Sequence, residues 1–385
     1  RAGSLWIFSN EVDTGRSPLA DLAAGEQATV ADHRGNAVGS AYVNPHALIC
    51  ARLYSRETGR PLDRGLLDQR LRRAVALREA LFDRPFYRAV FSEGDGLPGL
   101  TVDRYGDVVV AQITTAGMER LKEDLVAVLS ERLAPAAVVL RNDAESRALE
   151  GLDAYVEVAA GHLPDAVVVE ENGCRFEIDP LHGQKTGWFF DHRMNRARMQ
   201  RYAAGRTVLD VFSYIGECGI QAAAAGAERV LCLDSSTAAL QRLTHNAALN
   251  GVQDRVATRP GDAFDLLKAL YAEGQRFDVV ITDPPAFVKR RKDAAQGTAA
   301  YQRLNHLALQ LLNADGILIS SSCSYHMSTA ALQQAVVQAA RSPRRSLQLL
   351  ERGRQAPDHP VHPAMPETDY LKTLFMRAPG AGGGW

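Results

Sequence analysis

Lysine is scarce in this chain: of 44 basic residues only six are lysines, and the other 38 are arginines. Long apolar runs are missing as well. Nothing approaches the roughly 18 uninterrupted apolar residues of a membrane helix, and Leu5-Trp6-Ile7-Phe8 is too short for the core of a signal peptide. Cysteine is sparse, and the five present (Cys50, Cys174, Cys218, Cys232, Cys323) are scattered without CxxC spacing. An odd, unpatterned set supports neither a disulfide framework nor a zinc or other metal site, so a reducing cytoplasmic compartment is expected. Net charge is lacking too, at −1, so bulk charge gives no sign of a nucleic-acid partner. Internal repeats are absent, and the one low-complexity piece is the tail Gly380 to Trp385, expected to be a mobile end.

What charge there is lies unevenly. Between Arg52 and Arg88 ten arginines face five acidic residues, and Lys289-Arg290-Arg291-Lys292 forms a second basic cluster. Guanidinium forks suit bidentate phosphate contacts, so a local basic face is able to follow a nucleic-acid backbone. Solvated helix faces explain each cluster equally well.

A length of 385 residues predicts two or three domains. The first 70 or so residues alternate weakly, with turns at Asp32 to Asn36 and Asn44-Pro45, and predict a compact β module. Leu67, Leu71, Ala74, Val75 and Leu81 recur near a 3.6 period, which predicts an amphipathic helix over 66–82. Residues 86 to 180 read as α+β, with strands at 87–91, 100–103, 107–114, 136–141 and 166–170 and a helix from about Met118 to Leu133. From Thr207 the texture becomes strand, loop, helix, repeated: 207–211, 229–233, 278–282 and 316–320 are short apolar runs of a parallel sheet. Ligands of such sheets sit beyond the carboxyl ends of the strands.

Those ends carry the chemistry. Asp210 closes one strand and is followed by Gly216 and Gly219 before an Ala-rich helix. Asp234 closes the next, about where Rossmann-type units hold a ribose diol. Asp262-Ala263 follows at a third. Three acidic strand ends without a phosphate-binding glycine pattern point to a nucleoside-bearing cofactor lacking a pyrophosphate. Two further ends, Asp283-Pro284-Pro285-Ala286-Phe287 and Ser322-Cys323-Ser324, place a carboxylate, a stiff loop and a thiol on the same side of the sheet.

Taken together, Gln184 to Arg193, Asp210 to Gly216, Asp283 to Phe287, Ser322-Cys323-Ser324 and Tyr370-Leu371-Lys372 resemble class I S-adenosylmethionine-dependent methyltransferases. More narrowly, they resemble the bacterial 23S ribosomal RNA 5-methylcytosine methyltransferases, and Trp6 to Glu11 looks like the start of that family's PUA domain. The resemblance implies an α/β fold: a Rossmann-like seven-stranded methyltransferase sheet over 181–385, an N-terminal small PUA-like β-barrel over 1–73 and an α+β middle domain over 74–180. It implies S-adenosylmethionine as cofactor, large-subunit ribosomal RNA as partner and no membrane; a homodimer stays open. Asp210, Phe212, Ser213 and Gly216 would line the methionine side, Asp234 and Ser235 the ribose, Asp262 and Ala263 the adenine, with Gln184 leading into the pocket. Pro284, Phe287, Arg193 and Lys289 are implied substrate contacts, Phe287 by stacking on an everted base and Arg193 with a local ion pair as its equal alternative.

The same resemblance makes Cys323 and Asp283 the catalytic pair. Carbon-5 of cytosine is a poor nucleophile until a thiolate adds at carbon-6, and covalent catalysis splits that hard step in two. A free thiol has a pKa of about 8.5, so Cys323 needs an electropositive or proton-accepting neighbourhood. Asp283 would hydrogen-bond the cytosine amino group or ring nitrogen. Many enzymes of this chemistry carry a second cysteine in the proline loop; here Pro285 and Ala286 stand there, so adduct release and the carbon-5 base are left open. A related nitrogen methyltransferase, which needs no thiol, and a cofactor-free ribosome-assembly factor are the competing readings. Loss of methyl transfer in a Cys323 variant and binding of S-adenosylmethionine discriminate between them. An RNA platform also predicts affinity that falls steeply with salt.

Overall fold

The computed structural model describes residues 3–380; most of the tail expected to be mobile lies outside the described residues. Contacts divide the chain into two units, one formed by 1–169, 178–190 and 357–368, the other by 170–177, 191–356 and 369–385. Among the described residues no helix is long and apolar enough to cross a membrane.

The first unit begins with a four-stranded antiparallel sheet in the order Trp6–Phe8, Ile49–Ser55, Ala37–Val43, Gln27–Ala31, closed over Ala41, Val43, Ala51 and Leu53. The expected turn at Asp32 is made by Asp32 N–H to Asn36 O at 2.8 Å. Helix Arg64–Leu81 follows, started by Asp63, whose carboxylate accepts the Leu66 N–H at 2.8 Å. Its Leu67, Leu71, Ala74 and Val75 pack on a five-stranded sheet, Phe86–Phe91, Leu100–Tyr105, Val108–Ile113, Ala137–Asn142 and Tyr155–Gly161. The helix expected over 118–133 is two pieces, Ala116–Glu119 and Lys122–Leu133. Arginines of the basic stretch divide by role. Arg78 is buried in a bidentate pair with Asp95 at 2.6 and 2.7 Å, and Arg70 donates to the carbonyls of Gly96 and Tyr54. Arg72 and Arg73 face solvent.

The second unit is a seven-stranded sheet: β1 (Thr207–Val211), β2 (Arg229–Asp234), β3 (Val256–Pro260), β4 (Phe277–Thr282), β5 (Leu312–Ser322), β6 (Gln348–Arg354) and β7 (Lys372–Ala378). Spatial order is β3-β2-β1-β4-β5-β7-β6, all parallel except β7, which runs against both neighbours. Six helices accompany it: α1 (Arg193–Gln200), α2 (Gly219–Ala224), α3 (Thr237–Leu249), α4 (Ala263–Ala272), α5 (Ala294–Leu311) and α6 (Thr329–Ala340). Strands covered on both faces read as continuous apolar runs, and Leu209, Val211, Val280, Leu318 and Leu374 are fully buried between the layers. Strand order reverses at β1, with β2 and β3 laid to one side and β4 and β5 to the other. Beyond the carboxyl ends of β1 and β4 lies the switch-point crevice where such sheets bind ligands.

Candidate active site

The loop leaving β1 is bent by backbone rather than by side chains. Phe212 (φ 68°) and Tyr214 (φ 46°) take the left-handed conformation that L-residues avoid, and Gly216 (φ 94°) follows. A Cβ on Gly216 would lie 2.6 Å from Ile220 Cδ1 and 2.8 Å from Leu243 Cγ, so only glycine fits that turn. Two strained non-glycine positions so close together persist only where surroundings over-determine them, and ligand-binding turns are where they cluster. Asp234 supplies part of that constraint: one carboxylate oxygen accepts the Tyr214 N–H at 2.9 Å and the other the Ser236 N–H at 2.8 Å. A carboxylate has about four acceptor sites, so this half-buried group keeps capacity for a diol.

Asp210 sits deeper. Its Oδ2 accepts the Gly219 N–H at 2.8 Å at the start of α2, and the residue is 2% exposed. Burial pushes its carboxyl up to about 7, with Asp283 and Asp234 adding repulsion and the Gly219 N–H opposing. Asp262 starts α4, capping Phe264 and Asp265 N–H at 2.9 and 3.2 Å with one oxygen, while Ala263 is buried beneath. Ser235 is exposed beside Asp234, and Ser213 is buried with its hydroxyl on the Leu233 carbonyl at 3.3 Å. Gln184 is exposed and belongs to the first unit.

Across the crevice, Thr282 pairs with Ser320, so Asp283 leaves β4 beside the last residues of β5. Asp283 Oδ2 lies 3.2 Å from His192 Nε2, and both line a cavity with Cys218, Ser321 and Thr373 among its walls. Cys323 follows β5 immediately, half-buried and in no disulfide. Ser324 ties the two loops together: its Oγ accepts the Val288 N–H at 3.2 Å and lies 3.0 Å from Tyr301 Oη, which also accepts from Ser322 Oγ at 2.8 Å. Phe287 packs against Tyr301, centroids 4.9 Å apart, and against Phe264 at 6.3 Å. Pro284 is buried, while Lys289 is exposed beyond it.

Behind Asp283 lies a charge network with no counterpart in the sequence reading. Arg196 of α1, 1% exposed, places Nε 2.6 Å from Glu171 Oε1 and Nη1 2.7 Å from Glu217 Oε2. Gln221 Nε2 adds a bond to Glu171 at 3.1 Å, and Arg193 Nε is 3.3 Å from the same carboxylate, so Arg193 is buried in an ion pair. Burial pushes Glu217 up to about 8 despite Arg196. Missed too were His192, hidden inside a quoted segment, and the joint role of Ser324 and Tyr301; spacing in sequence gives no signal for either.

Comparison with known proteins is decisive at this point. Residues 140–377 match the family model described as S-adenosylmethionine-dependent methyltransferase, and residues 1–56 match the PUA-like domain. Proteins named "Ribosomal RNA large subunit methyltransferase I" are 38% identical in Shewanella frigidimarina, over 97% of this chain and 94% of the relative, and 36% identical in Tolumonas auensis, over 97% and 95%. The chain belongs to this methyltransferase family. A solved structure from Streptococcus mutans, described as that of a candidate S-adenosylmethionine-dependent methyltransferase, has the same fold, with TM-score 0.83 at 19% identity over 97% of this chain and 96% of that one. Another, at the same values, is complexed with SAH.

The family's cofactor, S-adenosylmethionine, suits the residues present. Asp234, at the strand end where such sheets hold a ribose, has both oxygens on backbone N–H groups and keeps acceptor capacity for a diol.

Proposed function

We propose that this protein transfers a methyl group from S-adenosylmethionine to carbon-5 of a cytosine in large-subunit ribosomal RNA, through a transient bond between the base and Cys323. The substrate class follows the names of the relatives, and residues 1–73 are proposed as its RNA-binding part, 74–180 as a middle domain and 181–385 as the catalytic one. The observation that carries the cysteine assignment is Ser324, whose hydroxyl holds the proline loop against the cysteine turn. That bond joins the loop that follows Asp283 to the turn that carries Cys323.

In this reading the thiolate sulfur of Cys323 bonds to carbon-6 while the carbon-5 to carbon-6 π pair moves onto carbon-5 and the ring. The bound cofactor supplies an electrophilic methyl group, which the electron-rich carbon-5 accepts. Removal of the carbon-5 proton then restores the double bond and expels the thiolate, so the enzyme is regenerated. Asp283 holds the amino edge of cytosine, with His192 fixing the carboxylate. Asp210, Phe212, Ser213, Gly216, Asp234, Ser235, Asp262 and Ala263 hold the cofactor, and Pro284, Phe287 and Lys289 form the substrate side, while Arg193 is committed to its ion pair with Glu171.

Cys323→Ala and Cys323→Ser are expected to lose methyl transfer to ribosomal RNA by at least about 10³-fold, the order of a lost covalent step. Bisulfite sequencing of ribosomal RNA from cells with the wild-type or variant gene reads base and position together. Full methylation in Cys323→Ala would overturn the role of Cys323 as nucleophile.

A further inference from the structure

Lys372, in a chain nearly devoid of lysine, opens β7 opposite Ser322, the last residue of β5, and opposite Arg354 of β6. It is 7% exposed, and its Nζ donates to the Ser324 and Tyr370 carbonyls at 2.6 Å each. Neutral carbonyls do not cancel an ammonium, and burying one costs free energy unless its charge is used. Burial pulls this amine down to about 8, while Asp369 and Cys323 act in the opposite direction, so the cysteine is within electrostatic reach.

Three other titratable groups of the neighbouring elements carry no positive charge. Asp369 is anionic and paired with Arg354 at 3.6 Å. Tyr301, reaching in from α5, is neutral, with burial raising its hydroxyl and Cys323 contributing. Asp283, at the end of β4, is anionic and faces His192. A nearby cation stabilises a thiolate, and Lys372 reaches the residue next to the sulfur-bearing one.

We propose that Lys372 is the positioning residue of Cys323: it fixes the backbone just past the cysteine through the Ser324 carbonyl and supplies the positive charge that keeps the sulfur a thiolate. The inference rests on the nucleophile assignment above. It makes no demand on RNA, cofactor or turnover, and is tested without them. A nearby ammonium lowers a thiol's proton affinity, and alkylation by iodoacetamide proceeds through the thiolate.

The experiment is peptide-resolved mass spectrometry of Cys323 alkylation by iodoacetamide in the full chain, from pH 5.5 to 10, for wild type, Lys372→Arg and Lys372→Met, with circular dichroism confirming the fold. The wild-type midpoint is expected below the ordinary thiol value of about 8.5, Lys372→Arg close to wild type, and Lys372→Met higher, with alkylation at pH 7 slowed about tenfold. A wild-type midpoint at or above the ordinary value overturns the inference by itself, even if Lys372→Met fails to fold. So does a folded Lys372→Met with an unmoved midpoint. Methyl transfer retained by Cys323→Ala would instead overturn the nucleophile assignment, while a lysine-dependent midpoint would still establish the coupling.

Discussion

Asp210 is a carboxylate kept where ionisation is expensive, and this has a measurable consequence at the scale of one residue. Its carboxyl is raised by burial from the ordinary 3.8 to about 7. A raised value means that the folded chain holds a proton the unfolded chain has already lost. Its contribution to stability is therefore complete below the ordinary value and disappears as pH climbs through about 7. Asp210→Asn keeps an acceptor for the Gly219 N–H and removes the titration. Thermal unfolding of the cofactor-free protein between pH 5 and 8 should fall less steeply for the variant, and parallel curves would contradict the assignment. Cofactor affinity should fall too, because an amide does not attract a sulfonium. The sequence displayed Asp210, Asp234 and Asp262 as strand ends, since strand periodicity exposes them. It named Lys372 without its contact to the cysteine turn and gave no warning of the His192 to Asp283 contact, because one depends on pairing across the sheet and the other on the residue just before α1.

At the scale of elements, α1 is tied by charge to the strand Val167–Glu171 and to the loop between β1 and α2. Arg196 is paired with the buried Glu171 carboxylate and also donates to Glu217, both almost sealed from water. Removing one partner of a buried pair leaves the other uncompensated, at about 3–5 kcal/mol. Arg196→Ala should lower the unfolding temperature of the second unit markedly by calorimetry, and an unchanged transition would contradict a structural role for the network. Strands β1, β2, β4 and β5 were readable because both of their faces are covered, which makes their sequences continuously apolar. β6 was not, because Glu351, Arg352 and Arg354 interrupt it at the sheet edge. β7 was quoted only through Lys372, since the apolar run Leu374-Phe375-Met376 carries no positional chemistry. Tyr155–Gly161 was missed because Val156 and Val158, on an edge strand, are exposed.

Across the whole molecule, composition concealed the partition of the arginines. Arg70 and Arg78 are spent on backbone carbonyls and Asp95, Arg193 and Arg196 on Glu171, so the surface charge available to a phosphate backbone is smaller than the count implies. Arg72, Arg73 and Lys289 are among the basic residues that stay exposed. Cofactor chemistry was legible at strand ends, whereas the hydroxyl network of Ser322, Ser324 and Tyr301 that gathers two of those ends became visible only in three dimensions. The account as a whole depends on sulfur of Cys323 bonding to carbon-6 of the target base. A large-subunit ribosomal RNA fragment carrying 5-fluorocytidine tests this directly, because after methyl transfer carbon-5 holds fluorine and has no proton to release. Incubated with the intact protein and S-adenosylmethionine, it should yield a protein–RNA complex stable on a denaturing gel, with the nucleotide mapped by mass spectrometry to the Cys323 peptide. Methylated fluorinated RNA released free of protein, or an adduct mapped to another residue, would contradict it.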